Sequence, residues 1–235
     1  MNSKRLGGDM IITIDGPTAS GKSFVARELA SRLGFYYLYT GLLYRAIAYI
    51  LISEKNREII KGVSFTNQEL SFIKDLSYIY KGGEPHVLYK NIDISKNLYD
   101  MELAQKASIV SESSLVRTLL LSVLREISRR YNIIADGRDC GSVVFPNAQH
   151  KFFLTADVGI RAKRASSDTR RFQGAQSLES ITQEITKRDH RDQTRAVAPL
   201  VVPDGAVVVD STELTRRETV QLFLLHISHK TLQNL

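Results

Sequence analysis

The run Ile11-Ile12-Thr13-Ile14-Asp15-Gly16-Pro17-Thr18-Ala19-Ser20-Gly21-Lys22-Ser23 leaves this chain little choice of architecture: an apolar, β-branched strand passes into a glycine-bracketed loop and then into a helix. Gly16 and Gly21 supply the backbone freedom of a tight loop, whose N–H groups, with those of the helix start, converge on a polyanion. In the spacing G-x-x-x-x-G-K-[ST], the lysine reaches the β- and γ-phosphates and the following hydroxyl faces Mg²⁺. A glycine-rich turn can match that spacing by chance, but the flanks argue against it. Residues 11–14 read as a strand, and Phe24, Val25, Leu29 and Leu33 recur at helical spacing. Gly16, Pro17, Thr18, Ala19, Ser20, Gly21, Lys22 and Ser23 are therefore predicted to bind a nucleoside triphosphate, ATP in the first instance.

A length of 235 residues suits one domain with room for inserted lobes. Alternating helix and strand signals favour a layered α/β architecture. The single cysteine, Cys140, allows no intrachain disulfide, and no Cys/His cluster has zinc spacing, so a reducing, cytoplasmic setting is expected. Lys4 and Arg5 precede apolar residues, yet Asp15 interrupts that run, so it reads as a first strand and not as a signal peptide. The apolar stretches 119–124 and 220–227 read as core helices, and no membrane partner is expected. The formal charge of +7 admits nucleic acid, acidic membrane or a phosphorylated small molecule. Position favours the last, because the arginines between Arg161 and Arg195 are interleaved with acids instead of forming one basic arm. Much of that charge reads as a solvated surface, and no nucleic-acid partner is expected.

Gly34 ends the first helix, and residues 35–39 read as a second, aromatic strand. Thr40-Gly41 is predicted to turn the chain into a helix carrying Arg45, with Leu43, Ile47 and Ile50 on one face. In an open α/β sheet ligands sit beyond the carboxyl ends of the strands, which puts Thr40 and Arg45 on the rim of the phosphate loop. Composition changes from Lys55 to Asp93. Thr66-Asn67-Gln68-Glu69 looks like a capping box opening a short helix, and residues 77–80 and 86–89 like a hairpin around Lys81-Gly82-Gly83, with 92–94 as another edge strand. Helices are expected over 96–110, carrying Ser108, and over 114–131, with Arg117 near its start. An arginine there opposes the helix dipole, so its charge is used elsewhere.

The next strand ends in Ala135-Asp136-Gly137-Arg138-Asp139, a dense set of charges where α/β sheets place their chemistry. Residues 151–155 form a fourth core strand, with Asp157 capping a helix over 158–167, and 206–210 a fifth. The last helix starts near Leu214 with the capping box Thr215-Arg216-Arg217-Glu218. Between these strands, Arg170, Arg171 and Gly174 lead into a helix from about Ser177, on which Arg188, Arg191, Asp192 and Arg195 share one face. Ala196-Val197-Ala198-Pro199-Leu200 stops that helix.

Phosphoryl transfer requires positioning and charge neutralisation more than a covalent nucleophile. With Lys22 in the cradle, Arg45 and Arg138 on the rim and Arg188 and Arg195 arriving on a closing lid, a second phosphate and the transferring group can be surrounded. Lys22, Arg138, Arg188 and Arg195 are the expected catalytic residues. Mg²⁺ would be held by Ser23 and by an acid, directly or through water, with Asp136 the first candidate and Asp15 the second. The five histidines share no spacing, and no Ser/His/Asp triad is indicated.

Taken together, the loop Gly16 to Ser23, Thr40-Gly41-Leu42-Leu43-Tyr44-Arg45, Ala135-Asp136-Gly137-Arg138-Asp139, Gly141-Ser142-Val143-Val144-Phe145-Pro146, Arg188-Asp189-His190-Arg191-Asp192, Arg195-Ala196-Val197-Ala198-Pro199-Leu200 and Asp210-Ser211-Thr212 resemble the bacterial cytidylate kinases, in the same order and over nearly the whole chain. The resemblance implies transfer of the γ-phosphoryl of ATP to CMP or dCMP. The implied fold is a three-layer α/β P-loop fold of the nucleoside monophosphate kinase kind, with a five-stranded parallel sheet. Its core would span about 9–54, 96–170 and 196–235, with an acceptor-side inserted lobe over about 55–95, a helical lid over about 171–195 and a monomeric state. In such enzymes Thr40 and Arg45 would hold the acceptor nucleotide, Ser108 and Arg117 would touch the cytosine, and Arg138 and Asp139 would hold phosphate and base. Arg188 and Asp192 would contact sugar and phosphate, and Arg195 the transferring phosphoryl. Cytosine carries an amino donor where uracil carries a carbonyl, so a carboxylate such as Asp139 accepts from the first and is repelled by the second. Three positions depart from the family: Tyr39 stands where an acid is usual, Thr40 where serine is, and Ser23 where many members have glycine or threonine, a hydroxyl expected to serve as a metal ligand.

Overall fold

A strand followed by a helix that recrosses the sheet forces the next strand to run parallel, and this chain repeats that unit. The computed structural model describes residues 10–167 and 177–233. β1 (Ile11–Asp15) leads through the phosphate loop to α1 (Lys22–Leu33), and β2 (Tyr36–Tyr39) to α2 (Thr40–Ser53). β3 (Leu76–Lys81), β4 (Glu84–Tyr89) and β5 (Ile92–Asp93) come next, then α3 (Met101–Val110) and α4 (Ser114–Arg130). β6 (Ile133–Asp136), β7 (His150–Thr155), α5 (Val158–Ser166), α6 (Leu178–Thr194), β8 (Val207–Asp210) and α7 (Arg216–Gln233) complete the chain. The main sheet is five-stranded and parallel in the order β2-β6-β1-β7-β8, and β3-β4-β5 form a separate antiparallel sheet.

Side chains alternate across the central sheet and bury on both sides. Ile12, Ile14, Tyr37, Ile134, Phe152 and Leu154 pack with Val25 and Leu29 of α1 and Phe223 of α7. Leu38, Ile133 and Ala135 face the other way, onto Leu42, Ala46 and Ile50 of α2 and Leu120 of α4. The result is the expected three-layer arrangement. Register places Ile14 and Tyr39 both opposite Asp136, so β1, β2 and β6 end at one rim.

The antiparallel sheet is fastened to the edge strand β2 by tyrosine hydroxyls. Tyr78 Oη donates to the Tyr37 carbonyl at 2.9 Å and accepts the Tyr39 N–H at 2.9 Å. Tyr36 Oη donates to the Tyr78 carbonyl at 3.2 Å and accepts the Tyr80 N–H at 2.7 Å. Backbone groups of an edge that would otherwise offer a pairing template are thereby satisfied.

Local expectations fail at a few points. Thr40-Gly41 makes no turn: α2 begins directly after β2, with Thr40 Oγ1 donating to the Asp136 carbonyl at 2.8 Å, and the Tyr39 ring covers Gly41 so closely that a Cβ there would lie 2.9 Å from a ring carbon. The reciprocal box of Thr66 and Glu69 forms, yet it leads to a 3₁₀ turn, Ser71–Asp75, and not to an α-helix. The helix expected over 96–110 is split into a 3₁₀ turn, Ser95–Leu98, and α3, whose true cap is Asp100, accepting from the Leu103 N–H. Arg195 lies beyond α6 in extended conformation. The Thr215–Glu218 box does open α7. Arg170, Arg171 and Gly174, and the start of the expected lid, lie outside the described residues.

Candidate active site

The phosphate loop is held by shape as much as by bonding. Gly16 has φ +147°, and a Cβ on it would lie 2.0 Å from the Leu154 carbonyl oxygen, so only glycine lets β1 turn here against β7. Lys22, nearly buried, donates its ammonium to the Pro17 carbonyl at 2.5 Å and to Ser20 Oγ at 3.2 Å. At the crest, the Thr18 N–H donates to Asp189 Oδ1 of α6 at 2.7 Å, while Arg161 of α5 pairs with the other oxygen of Asp189 and donates to the Thr18 carbonyl at 2.9 Å. α6 is therefore anchored to the loop.

A cavity of about 750 Å³ opens over the rim. Thr18, Ala19, Ser20, Gly21, Lys22 and Ser23 line one end; Thr40, Arg45, Ser108, Arg117, Asp136, Arg138, Asp139, Arg188, Asp192 and Arg195 line the rest. Gly16 and Pro17 do not line it. Every residue expected to meet the acceptor is thus brought to one space, from five separate segments of chain.

Asp139 organises the acceptor end. Its Oδ2 pairs with Arg117 and its Oδ1 accepts from Arg195 at 3.3 Å, all three being largely buried. Arg117 also donates to the Ser111 carbonyl at 2.9 Å and lies over the Tyr44 ring, its guanidinium carbon 5.6 Å from the centroid. Arg195 donates to Ser111 Oγ at 3.2 Å and to the Ala198 carbonyl at 2.7 Å. Ser108 Oγ is buried and has no partner among the described residues. Burial and the neighbouring Arg117 charge hold Arg195 below the ordinary guanidinium range.

Nearer the loop, Arg138 Nε donates to Asp192 Oδ2 at 2.7 Å and its Nη2 to Thr18 Oγ1 at 3.1 Å. Burial weighs against its charge, but the Asp192 carboxylate prevails and raises its pKa. Burial opposes the charge of Asp192 as well, and Arg138 and Arg188 together lower its pKa. Arg188 is pushed down to about 10 by burial and by the Arg138 charge, and its Nε is unpartnered among the described residues. Arg45 donates to the Leu98 carbonyl at 2.8 Å. Arg45, Arg138 and Arg188 surround a space with Asp192 as its nearby acid, an arrangement that calls for an anion.

Where loop and arginines meet, Ser23 Oγ donates to Asp136 Oδ2 at 2.7 Å and Tyr37 Oη to Asp136 Oδ1 at 3.2 Å. Burial raises the Asp136 pKa, opposed by Ser23 and by the Lys22 charge. Hydroxyl and carboxylate oxygens side by side form a hard donor set that fits Mg²⁺. Asp15 does not fit that role. Its Oδ1 accepts the Cys140 N–H at 2.8 Å and its Oδ2 the Gly141 N–H at 2.7 Å, with no exposed surface, so it presents no oxygen to a metal in the cavity. Arg188 and Arg195, expected to arrive on a closing lid, already line the cavity in this structure. Sequence reasoning assigned no part to Arg161, Asp189, Tyr37 or Tyr44, whose partners are distant in the chain. Asp189 could have been found from its place one turn before Asp192.

The cytidylate kinase family model matches residues 12–229. The chain belongs to the cytidylate kinase family. Two members of that family show how far the likeness extends. "Cytidylate kinase" of Caldanaerobacter subterraneus subsp. tengcongensis is 38% identical over 211 residues, 89% of this chain and 91% of that protein. "Cytidylate kinase 1" of Haemophilus influenzae is 37% identical over 222 residues, 93% of each. Among solved structures, an uncharacterized protein from Eubacterium ventriosum superposes with a TM-score of 0.51 over 94% of this chain and 99% of its own, at 11% identity, a likeness of fold alone.

Proposed function

We propose that this member of the cytidylate kinase family transfers the γ-phosphoryl of ATP to CMP or dCMP, giving CDP or dCDP. The observation that carries the reading is the Asp139 carboxylate, held by Arg117 and Arg195 in the same cavity that the phosphate loop enters. A buried acceptor fixed in this way takes a hydrogen bond from the cytosine amino group and leaves uracil with two opposed acceptors. Ser108 Oγ, unpartnered among the described residues, and Arg117 add a hydroxyl and further donors to the base.

Each remaining group has a task. The loop N–H groups and Lys22 hold the donor's phosphates. Thr40, Arg45, Arg138 and Arg188 gather the acceptor phosphate, and Asp192 orients those arginines and meets the sugar. Arg195, expected at the transferring phosphoryl, is instead tied to Asp139 and Ser111 and serves the base end of the acceptor site. Guanidinium groups around the reacting oxygens stabilise charge as it spreads in the transition state and exclude water. Ser23 and Asp136 would hold Mg²⁺, directly or through water, and the ion would neutralise charge on the donor's terminal phosphates. Residues 55–95 serve as the acceptor-side lobe and 171–195 as the lid. Because one chain supplies every group named, a monomer acting on free nucleotides in the cytoplasm suffices.

A coupled ADP-release assay across CMP, dCMP, UMP, AMP and shikimate tests the reading. CMP and dCMP are expected to be turned over best, and turnover of UMP far above CMP would overturn it.

A further inference from the structure

The elements that receive the two nucleotides meet at one buried carboxylate that no catalytic role accounts for. Asp15 closes β1 immediately before the phosphate loop and is wholly buried. Its two oxygens accept the N–H groups of Cys140 and Gly141, at 2.8 and 2.7 Å, residues more than 120 positions away. Those are the first two amides after Asp139, at the head of the single wide turn Cys140–Val144. That turn's own bonds run to the Asp139 carbonyl from Val143 and Val144, at 2.9 and 3.1 Å, so the Cys140 and Gly141 amides depend on Asp15. From the other side, Asp15 is fixed by Gly16, which is wedged against the Leu154 carbonyl.

We propose that Asp15 is a positioning residue for base recognition: by clamping the two amides that follow Asp139, it sets where that carboxylate meets the acceptor base. The inference rests on the assignment of Asp139 to the base. Two N–H donors require an acceptor at both oxygens, which the Asp15 carboxylate, ionised above about pH 7, provides and a carboxamide does not, so the kinetics below are read at about pH 8. Asparagine would turn an NH₂ group toward one amide and push the turn away. Space is short as well, since a Cβ on Gly141 would lie 3.2 Å from Asp15 Oδ2 and 2.7 Å from Thr13 Oγ1. Asp15 touches neither nucleotide's place directly, so its effect passes through Asp139.

Asp15→Asn tests this, with folding checked by thermal melting. The expected result is a KM for CMP raised about tenfold or more, and a kcat/KM preference for CMP over UMP eroded by a similar factor. The Kd of a non-hydrolysable ATP analogue should stay within threefold. General loosening of the fold would move both nucleotides and leave base preference alone. Should Asp15→Asn not fold, Gly141→Ala displaces the same amide, its Cβ pressing on Thr13 Oγ1 and Pro203 as well as on Asp15 Oδ2, and is expected to give the same split. Equal losses for the two nucleotides, or unchanged handling of CMP in whichever variant folds, would overturn the proposal. A wild type without CMP turnover would defeat the functional reading and this inference together; normal wild-type turnover with an unaffected variant would defeat this inference alone.

Discussion

Ser23 Oγ and Asp136 Oδ2 lie 2.7 Å apart, joining the first turn of α1 to the end of β6 at the point where the phosphate loop meets the acceptor cavity. Both oxygens are hard donors, and Tyr37 steadies the other oxygen of Asp136. Ser23→Ala and Asp136→Asn should each raise the Mg²⁺ concentration for half-maximal activity about tenfold or more, the scale of effect when a metal's supporting groups are removed. A Mg²⁺ titration at saturating nucleotides checks this, and an unchanged midpoint in both variants would remove the metal assignment.

Lys22 is held inside the loop by the Pro17 carbonyl and Ser20 Oγ, so its ammonium is placed beforehand where a triphosphate would bear its charge. Lys22→Ala should lower kcat about 10²–10³-fold or more, in line with loss of one preorganised charged donor. Wild-type rates in that variant would refute the cradle.

Asp139 carries two buried guanidinium groups, Arg117 and Arg195. Asp139→Ala should cut kcat/KM for CMP about 10²-fold, as expected when a buried charged hydrogen-bond partner is lost. It should also destabilise the fold by about 3–5 kcal/mol by leaving those cations facing one another. Steady-state kinetics with each nucleotide varied in turn separates these effects; an equal loss for ATP and CMP would make the residue structural.

The sheet and the loop were legible because their signals are local. Residues 11–14 and 133–136 are short apolar runs ending at charges, and the spacing of Gly16, Gly21, Lys22 and Ser23 between a strand and a helix pattern marks a phosphate loop. Most acceptor residues were legible through resemblance, lying in distinctive blocks, whereas Ser108 and Arg117 stand outside those blocks. What stayed hidden depends on partners far apart in the chain. Tyr36 and Tyr78 look like ordinary strand aromatics until β3 lies beside β2 and their hydroxyls find the backbone. Asp15 looks like a metal acid until β6 delivers the amides of Cys140 and Gly141 to it. Thr40-Gly41 misleads because a threonine–glycine pair resembles a turn, whereas here Gly41 makes room for the Tyr39 ring over a helix that has already begun.

Asp189 joins α6 to both α5 and the loop crest through Arg161 and the Thr18 N–H. Removing the acid strands a buried guanidinium, which costs about 3–5 kcal/mol. In a domain of this size Asp189→Ala should therefore lower Tm by about 10 °C. A differential scanning melt decides it, and a shift under about 2 °C would mean the pair is not an anchor.

Asp15 gives the protein a pH signature of its own. Burial pushes its carboxyl from 3.8 up to about 7, with the Asp139 charge adding to the rise and the Gly141 and Cys140 amides and Lys22 opposing it. The native state therefore holds a proton on Asp15 between about pH 4 and 7 where the unfolded chain has released it. A raised carboxyl pKa contributes stability that is fully present below the unfolded value and is lost as pH rises through the native one. The unfolding free energy of wild type minus that of Asp15→Asn, which has no proton to lose there, should consequently fall as pH climbs from 4 to 7, by at most about 1.4 kcal/mol per unit, and level off above about 8. Urea melts of both proteins at intervals across that range measure the difference directly. A difference that stays constant, or that rises with pH, would mean that Asp15 is ionised throughout and that its two amide bonds outweigh its burial.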